Sequence, residues 1–232
     1  MAQTVTMMCA LAVRGAFEAQ ILPTFETQSG IKVETFWAPT TVIIDRLAAG
    51  ERADVVVVMV DAMDRLAEQG VIDPASRAEV AHSRLGVAVA AGAVHPEIGT
   101  EAAFITSLLA ARSVAYSRGG ASGIYFTKMI EKLGIADAIN ARATIIPQGF
   151  TAECLVSGAA DLAVQQISEL MVVPGVDIIG PFPDAVQNIS SFSAAVTLGA
   201  DAPAAAAALI ASFITPQAAA TYRAHGVDAA FD

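Results

Sequence analysis

Short apolar runs alternate with longer segments of helical periodicity along almost the whole chain, and that alternation admits few folds. Val5 to Leu11 reads as a buried strand, and Gly15 to Thr27 as a helix with apolar positions at Phe17, Ile21, Leu22 and Phe25. Ile31 to Phe36 gives a second strand, Thr41 to Ala49 a helix stopped by Gly50, and Ala53 to Val60 a third strand. Asp61 has the side chain of a helix N-cap, and Gly70 closes the helix that follows. A fourth strand is expected over Gly86 to Ala91, then a helix over Thr100 to Ala111, a strand over Ser113 to Tyr116 and a helix over Ser122 to Leu133. Thr144 to Ile146 is a short strand, Thr151 to Val156 a helix, and Leu162 to Gln166 a strand again. Val176 to Ile179 and Ser191 to Val196 are late strands, and alanine-rich helices over Pro203 to Ile214 and Pro216 to His225 close the chain. The pattern defines an α/β fold class.

A chain that builds one sheet, leaves it for a second and supplies strands late enough to return predicts two doubly wound lobes. The expected lobes are residues 1–80 with 190–232, and residues 81–189, joined by a two-strand hinge near Ala81 and Ile189 with a ligand cleft between them. The composition suits that architecture, since 55% of residues are hydrophobic and only 16% charged, which also excludes disorder. A formal charge of −10 with 13 Lys and Arg spread along the chain excludes a nucleic-acid partner, which needs a basic face. It leaves room for a local anion site, because salt screens a diffuse surface charge within about 10 Å.

Cys9 and Cys154 stand far apart in sequence and are read as buried apolar residues in preference to a disulfide. His82, His95 and His225 form no pair at ligand spacing, so no metal is expected. No stretch reaches the roughly 20 apolar residues that span a bilayer, so membrane insertion is not expected. Met1-Ala2-Gln3 runs straight into an apolar strand without a leader. That start fits a mature periplasmic form with an added methionine, with a natural cytoplasmic start as the alternative.

In open parallel sheets, ligands sit beyond the carboxyl ends of the strands, where helix N-termini present unpaired N–H groups. Five loops here have the right place and composition: Ala12-Val13-Arg14-Gly15, Ala38-Pro39-Thr40-Thr41, Ser117 to Tyr125, Pro147-Gln148-Gly149-Phe150-Thr151 and Gln165 to Glu169. Either threonine of the second loop could simply cap its helix. Gly119, Gly120 and Gly123 weaken packing, and what they offer in return is close approach of the backbone to something else. The order Gly-x-x-x-x-Gly-Lys-Ser/Thr is missing, so the loop is not read as a nucleotide cradle. Gln165 and Gln166 end a buried strand, where they face a ligand more naturally than solvent. Arg14 and Arg118 are either solvated or grip carboxylates, a task the planar guanidinium suits.

Several segments taken in order resemble the molybdate-binding family of ABC-transporter solute-binding proteins, which has the type II periplasmic-binding fold. They are Phe25 with Gly30-Ile31-Lys32-Val33, Leu47 to Val55, Ser122-Gly123-Ile124-Tyr125 with Leu133-Gly134-Ile135, and Gly180-Pro181-Phe182-Pro183. Val13-Arg14-Gly15-Ala16, Tyr116-Ser117 and Val164 to Leu170 look like a divergent branch that contains aconitate isomerase. The resemblance implies a small anionic ligand, an ABC permease and its ATPase as partners, a monomer and no cofactor. Ala12 or Val13 stands where the family has a serine, and glutamine where it has a tyrosine. With two arginines added, the expected ligand shifts from molybdate or tungstate to a di- or tricarboxylate. The residues expected to hold it are Ala12, Arg14, Thr40, Thr41, Ser117, Arg118, Ser122, Gln148, Gly149, and Gln165 or Gln166. The alternative that the branch implies is a cofactor-free isomerase moving an allylic proton, for which Tyr125 and Glu169 are the candidate proton carriers.

Overall fold

A computed structural model describes residues 3–231. Met1 and Ala2, on which the reading of the N-terminus turns, lie outside the described residues. In chain order, β1 (Thr4–Ala10) leads through a 3-10 turn, Leu11–Val13, into α1 (Arg14–Ala16), which continues through a π-helical segment, Phe17–Ile21, into α2 (Leu22–Ser29). Gly30 caps that helix in the left-handed region, φ 72°, and donates its N–H to Glu26 O at 3.0 Å. There follow β2 (Lys32–Ala38), α3 (Thr40–Ala48), β3 (Val55–Met59), α4 (Val60–Glu68) and the long strand β4 (Ala78–Ala90). Next come α5 (Glu101–Ala110), β5 (Val114–Ser117), α6 (Ala121–Lys132), α7 (Ala136–Asn140), β6 (Thr144–Ile146), α8 (Glu153–Val156), β7 (Leu162–Gln166), α9 (Ile167–Leu170) and β8 (Val176–Pro181). The chain ends with β9 (Ile189–Val196), α10 (Pro203–Phe213), α11 (Pro216–Ala224) and β10 (Val227–Ala229).

The chain divides into two compact units, the first running to His82 and resuming at Ser190, the second spanning Ser83–Ile189. In the first, β1 pairs in parallel with β2 and β3, and β9 runs antiparallel on β3. Val55 and Val57 enter one core cluster with Phe17, Phe213 and Tyr222, whereas Val56 and Val58 enter another with Ile43, Met63 and Leu66. Strand alternation between two covered faces therefore explains why β3 is a continuous run of valine. Asp54, just before this strand, accepts hydrogen bonds from Thr6 N and Thr6 Oγ1, both at 2.8 Å, and from Ala202 N at 3.0 Å. Burial pushes its pKa up, but those bonds outweigh burial and hold the carboxyl below its usual value.

In the second unit, β5 pairs in parallel with β6 and β7, and β4 runs antiparallel to both β7 and β8. Leu162 and Val164 of β7 join the cluster containing Phe126 and Met129 of α6. Ala163 points the other way, into the cluster with Cys154 and Leu155 of α8. Both cysteines are buried and free, as the sequence reading has them.

Some expected elements differ. β4 begins eight residues before Gly86, because Ala78 to Arg84 carries Glu79, His82 and Arg84 and so lacks an apolar run, yet its backbone extends from one unit into the other. Asp61 does not cap α4: Met59 is the N-cap, and Asp61 lies in the first turn, 3.6 Å from Arg65. The helix expected over Thr151 to Val156 is reduced to α8, because Thr151 is held by Gln165 in the loop before it. The short elements α7 and β10 were not expected. No single helix among the described residues is long and apolar enough to cross a membrane.

Candidate functional site

The carboxyl ends of β5, β6 and β7 in the second unit hold the strongest candidate site. At the end of β5, Ser117 is buried and its Oγ has no hydrogen-bond partner. The chain turns at Gly119 and Gly120 and enters α6, whose N-cap Gly120 supplies no side-chain cap. The first intrahelical bond is Ile124 N to Gly120 O at 3.0 Å, so the N–H groups of Ala121, Ser122 and Gly123 precede the helix's own ladder. A Cβ on Gly123 would sit 1.5 Å from Ser117 O and 2.9 Å from Ser117 Oγ. Only glycine lets the start of α6 lie directly on the end of β5. A Cβ on Gly120 would stand 2.8 Å from Ser117 Oγ and 3.8 Å from Ser122 Oγ, so both buried hydroxyls converge on one point at the helix N-terminus. Unpaired N–H groups, the positive end of the helix dipole and two hydroxyls form a donor-rich setting suited to an anion.

The glutamines ending β7 have different fates. Gln165 Oε1 accepts from Thr151 N at 2.8 Å and Thr151 Oγ1 at 2.9 Å, and its Nε2 donates to Gly149 O at 2.9 Å. Its amide thus clamps the loop in which Gly149 takes φ 103°. Gln166 turns to the opposite face of β7, the face that carries Val164 and packs against α6. It is buried, and its Oε1 has no partner. Continuing the β5–β7 register two residues beyond the Ala115–Ala163 pair sets Ser117 beside Gln165, so the orphaned hydroxyl and the glutamine pair share one strand end. A buried polar group without a partner costs about 1–3 kcal/mol, so the orphaned Ser117 hydroxyl calls for a partner from outside the chain.

Glu169, one turn into α9, is 8% exposed. Burial pushes its carboxyl up to about 8, with a side-chain hydrogen bond from Gln165 acting against the shift. Ser168 beside it faces Ser83 at 3.3 Å. Tyr125 is tied elsewhere, its hydroxyl donating to Val186 O at 3.0 Å. Arg118 is exposed and lines a depression of about 580 Å³ with Tyr116, Lys128, Glu131 and Asn140, in which Tyr116 Oη donates to Asn140 Oδ1 at 2.7 Å. Gln148 is exposed in its loop.

The remaining expected residues lie in the first unit, again at strand ends. Ala12 is buried in the 3-10 turn after β1. Arg14 opens α1, pairs with Glu18 at 3.0 Å and places its guanidinium 5.7 Å from the centre of the Trp37 ring. Thr40 opens α3, and its Oγ1 accepts from Met59 N at 3.3 Å, linking the ends of β2 and β3. Thr41 beside it is exposed. Thr151, placed by the sequence in the fourth loop but not among the residues expected to hold a ligand, is the partner of Gln165. Its only signal was its place between Gly149 and an apolar helix.

Strand-end loops and helix N-termini in both α/β units define the class, a periplasmic-binding-type protein of the type II fold. The chain belongs to the bacterial extracellular solute-binding protein family, whose model matches residues 5–228. It is 35% identical over 217 residues to an aconitate isomerase from a Pseudomonas species, covering 90% of this chain and 82% of that one. The periplasmic molybdate-binding protein of Azotobacter vinelandii superposes with a TM-score of 0.79 at 21% identity, covering 96% of this chain and 98% of its own. A sulfate-binding protein of Mycobacterium tuberculosis superposes at 0.75 with 17% identity, covering 98% and 87%.

Proposed function

We propose that this protein is a periplasmic solute-binding protein for a small di- or tricarboxylate, one end of which occupies the strand-end site of the second unit. The observation that carries this reading is the buried, partnerless Ser117 hydroxyl set under the N-terminus of α6. A carboxylate would accept from Ser117, Ser122 and the first N–H groups of α6, replacing hydration that burial has removed. The relative named an aconitate isomerase, 35% identical over 217 residues, favours an organic polyanion over molybdate or tungstate. In this role the protein delivers its ligand to an ABC permease driven by an ATPase.

A second reading is favoured by the relative named an aconitate isomerase and by Glu169, a buried acid that keeps its proton near neutral pH. In that reaction a proton leaves the methylene carbon of the tricarboxylate, the double bond moves one carbon along, and a proton returns to the former alkene carbon. No oxidant or cofactor enters the balance. Tyr125 is less suited to this work, since its hydroxyl is engaged by Val186.

A thermal-shift series with molybdate, tungstate, sulfate, citrate, cis-aconitate and trans-aconitate, each hit followed by proton NMR, tests both readings. Stabilisation by the carboxylates without conversion supports the binder, and interconversion of the aconitates supports the isomerase. Stabilisation by molybdate alone overturns both.

A further inference from the structure

We infer that Gln165 is a positioning residue for an anion that it does not touch: it fixes the peptide after Gly149 in the loop beside Ser117. This role rests on the strand-end anion site proposed above and adds the residue that shapes its second wall. Ala115 and Ala163, two residues before Ser117 and Gln165, are register partners and enter one core cluster. Ser117 and Gln165 therefore lie side by side on one face of the sheet. The loop after β6 is tied to the same place, since Arg118 N donates to Ile146 O at 2.8 Å and Gly119 N to Pro147 O at 3.1 Å.

The segment from Pro147 to Thr151 is thus pinned at one end by the backbone next to Ser117. At the other end Gln165 Oε1 accepts from Thr151 N at 2.8 Å and from Thr151 Oγ1 at 2.9 Å. Between the pins stands Gly149 at φ 103°, with no Cβ to favour one setting of the peptide that follows it. Its carbonyl oxygen accepts from Gln165 Nε2 at 2.9 Å, and no other donor among the described residues bonds to it. An anion is repelled by a carbonyl oxygen and attracted by an N–H, and a peptide that turns over exchanges one for the other. By holding the oxygen, Gln165 keeps the loop from presenting it to the anion. With two bonds accepted on Oε1 and Nε2 shared between Gly149 O and Glu169, the amide has no donor or acceptor left for a ligand.

Calorimetric binding of citrate and of molybdate to the full protein, below the unfolding range of every variant and beside urea midpoints, tests this. Gln165→Met fills much the same space without the amide's bonds. Its dissociation constant should rise about tenfold. In a proton–nitrogen NMR spectrum its Gly149 and Phe150 amide signals should split or broaden, while those of Ser122 and Gly123 stay in place. Thr151→Val leaves Gln165 present but removes one of its holds, and should weaken binding about threefold. Thr151→Ser keeps the hydroxyl and should restore the affinity. Adding Thr151→Val to Gln165→Met should weaken binding no further, because both act through one contact. A lowered urea midpoint with an unchanged dissociation constant and a sharp Gly149 signal overturns the inference, leaving Gln165 a structural residue only. Weakening by Gln165→Met that Thr151→Val does not share overturns it too, by marking direct contact with the ligand. If the unaltered protein binds molybdate and not citrate, the carboxylate reading falls, and the same variants read with molybdate decide the inference. Binding of neither overturns both.

Discussion

The strand ends of the two units place similar residues at similar positions and treat them differently. In the first unit the polar groups satisfy one another: Arg14 pairs with Glu18, Thr40 accepts from Met59, and Asp54 gathers Thr6 and Ala202. Among its described residues the buried hydroxyls without partners, Thr35 and Ser193, lie within strands rather than at their ends. In the second unit the Ser117 hydroxyl and the Gln166 Oε1 have no partner at the strand ends themselves, and Ser117 lies beside a helix start that only glycine allows. Hydrogen-bonded residues at a strand end maintain a fold, whereas buried residues without partners hold places for atoms that the chain does not supply.

Substitutions in the second unit should break this contrast most strongly. Glu169→Gln should raise stability at pH 8 by on the order of a few kcal/mol, because a neutral amide need not retain a proton to stay buried. The sign follows from the raised pKa. Between about 4.5 and about 8 the folded state holds a proton that the unfolded chain has released, so stability falls as pH rises through that window and levels off above it. Urea unfolding of both proteins at pH 5 and pH 8 should show the gap opening only at the higher pH. Gly123→Ala should cost about 3 kcal/mol, since its Cβ would overlap the backbone oxygen of Ser117 and force α6 off the strand end. The same unfolding measurement checks it, and citrate should no longer shift the melting temperature.

Gln165→Leu should cost about 2 kcal/mol by leaving Thr151 N and Gly149 O without their partner, again read from the urea midpoint. Ser117→Ala sharpens the comparison, because it removes a hydroxyl that makes no bond in the protein. Stability should change by less than about 0.5 kcal/mol while citrate affinity falls about tenfold or more by calorimetry. A large loss of stability would mean that Ser117 belongs with the structural residues. The smallest effect is expected in the first unit, where Glu18→Ala removes a largely exposed ion pair and should shift stability by less than about 0.5 kcal/mol.

Much of this was legible in the residues. β6 and β7 have the bounds that their apolar runs predict, and β3 differs only at its ends, because a strand covered on both faces must be apolar throughout. The glycines after Ser117 announced a close approach of backbone to something else, and it occurs between Gly123 and the Ser117 carbonyl. The first half of β4 was less legible, because Glu79, His82 and Arg84 break its apolar run and only a strand crossing near Ala81 was expected there.

The partners of Gln165 and Gln166 were hidden. Adjacent residues of a strand point to opposite faces, so one amide met the Gly149–Thr151 loop and the other met no protein donor. From sequence they were interchangeable. The sequence by itself determined the alternation of strands and helices, the polar strand-end loops and the glycines that let a helix start lie on a strand, because periodicity and φ preference are local properties. Only the tertiary structure decided which hydroxyl and which amide stayed unpaired and that Glu169 would hold its proton, because burial and hydrogen-bond satisfaction depend on neighbours that the chain brings together from far along its length.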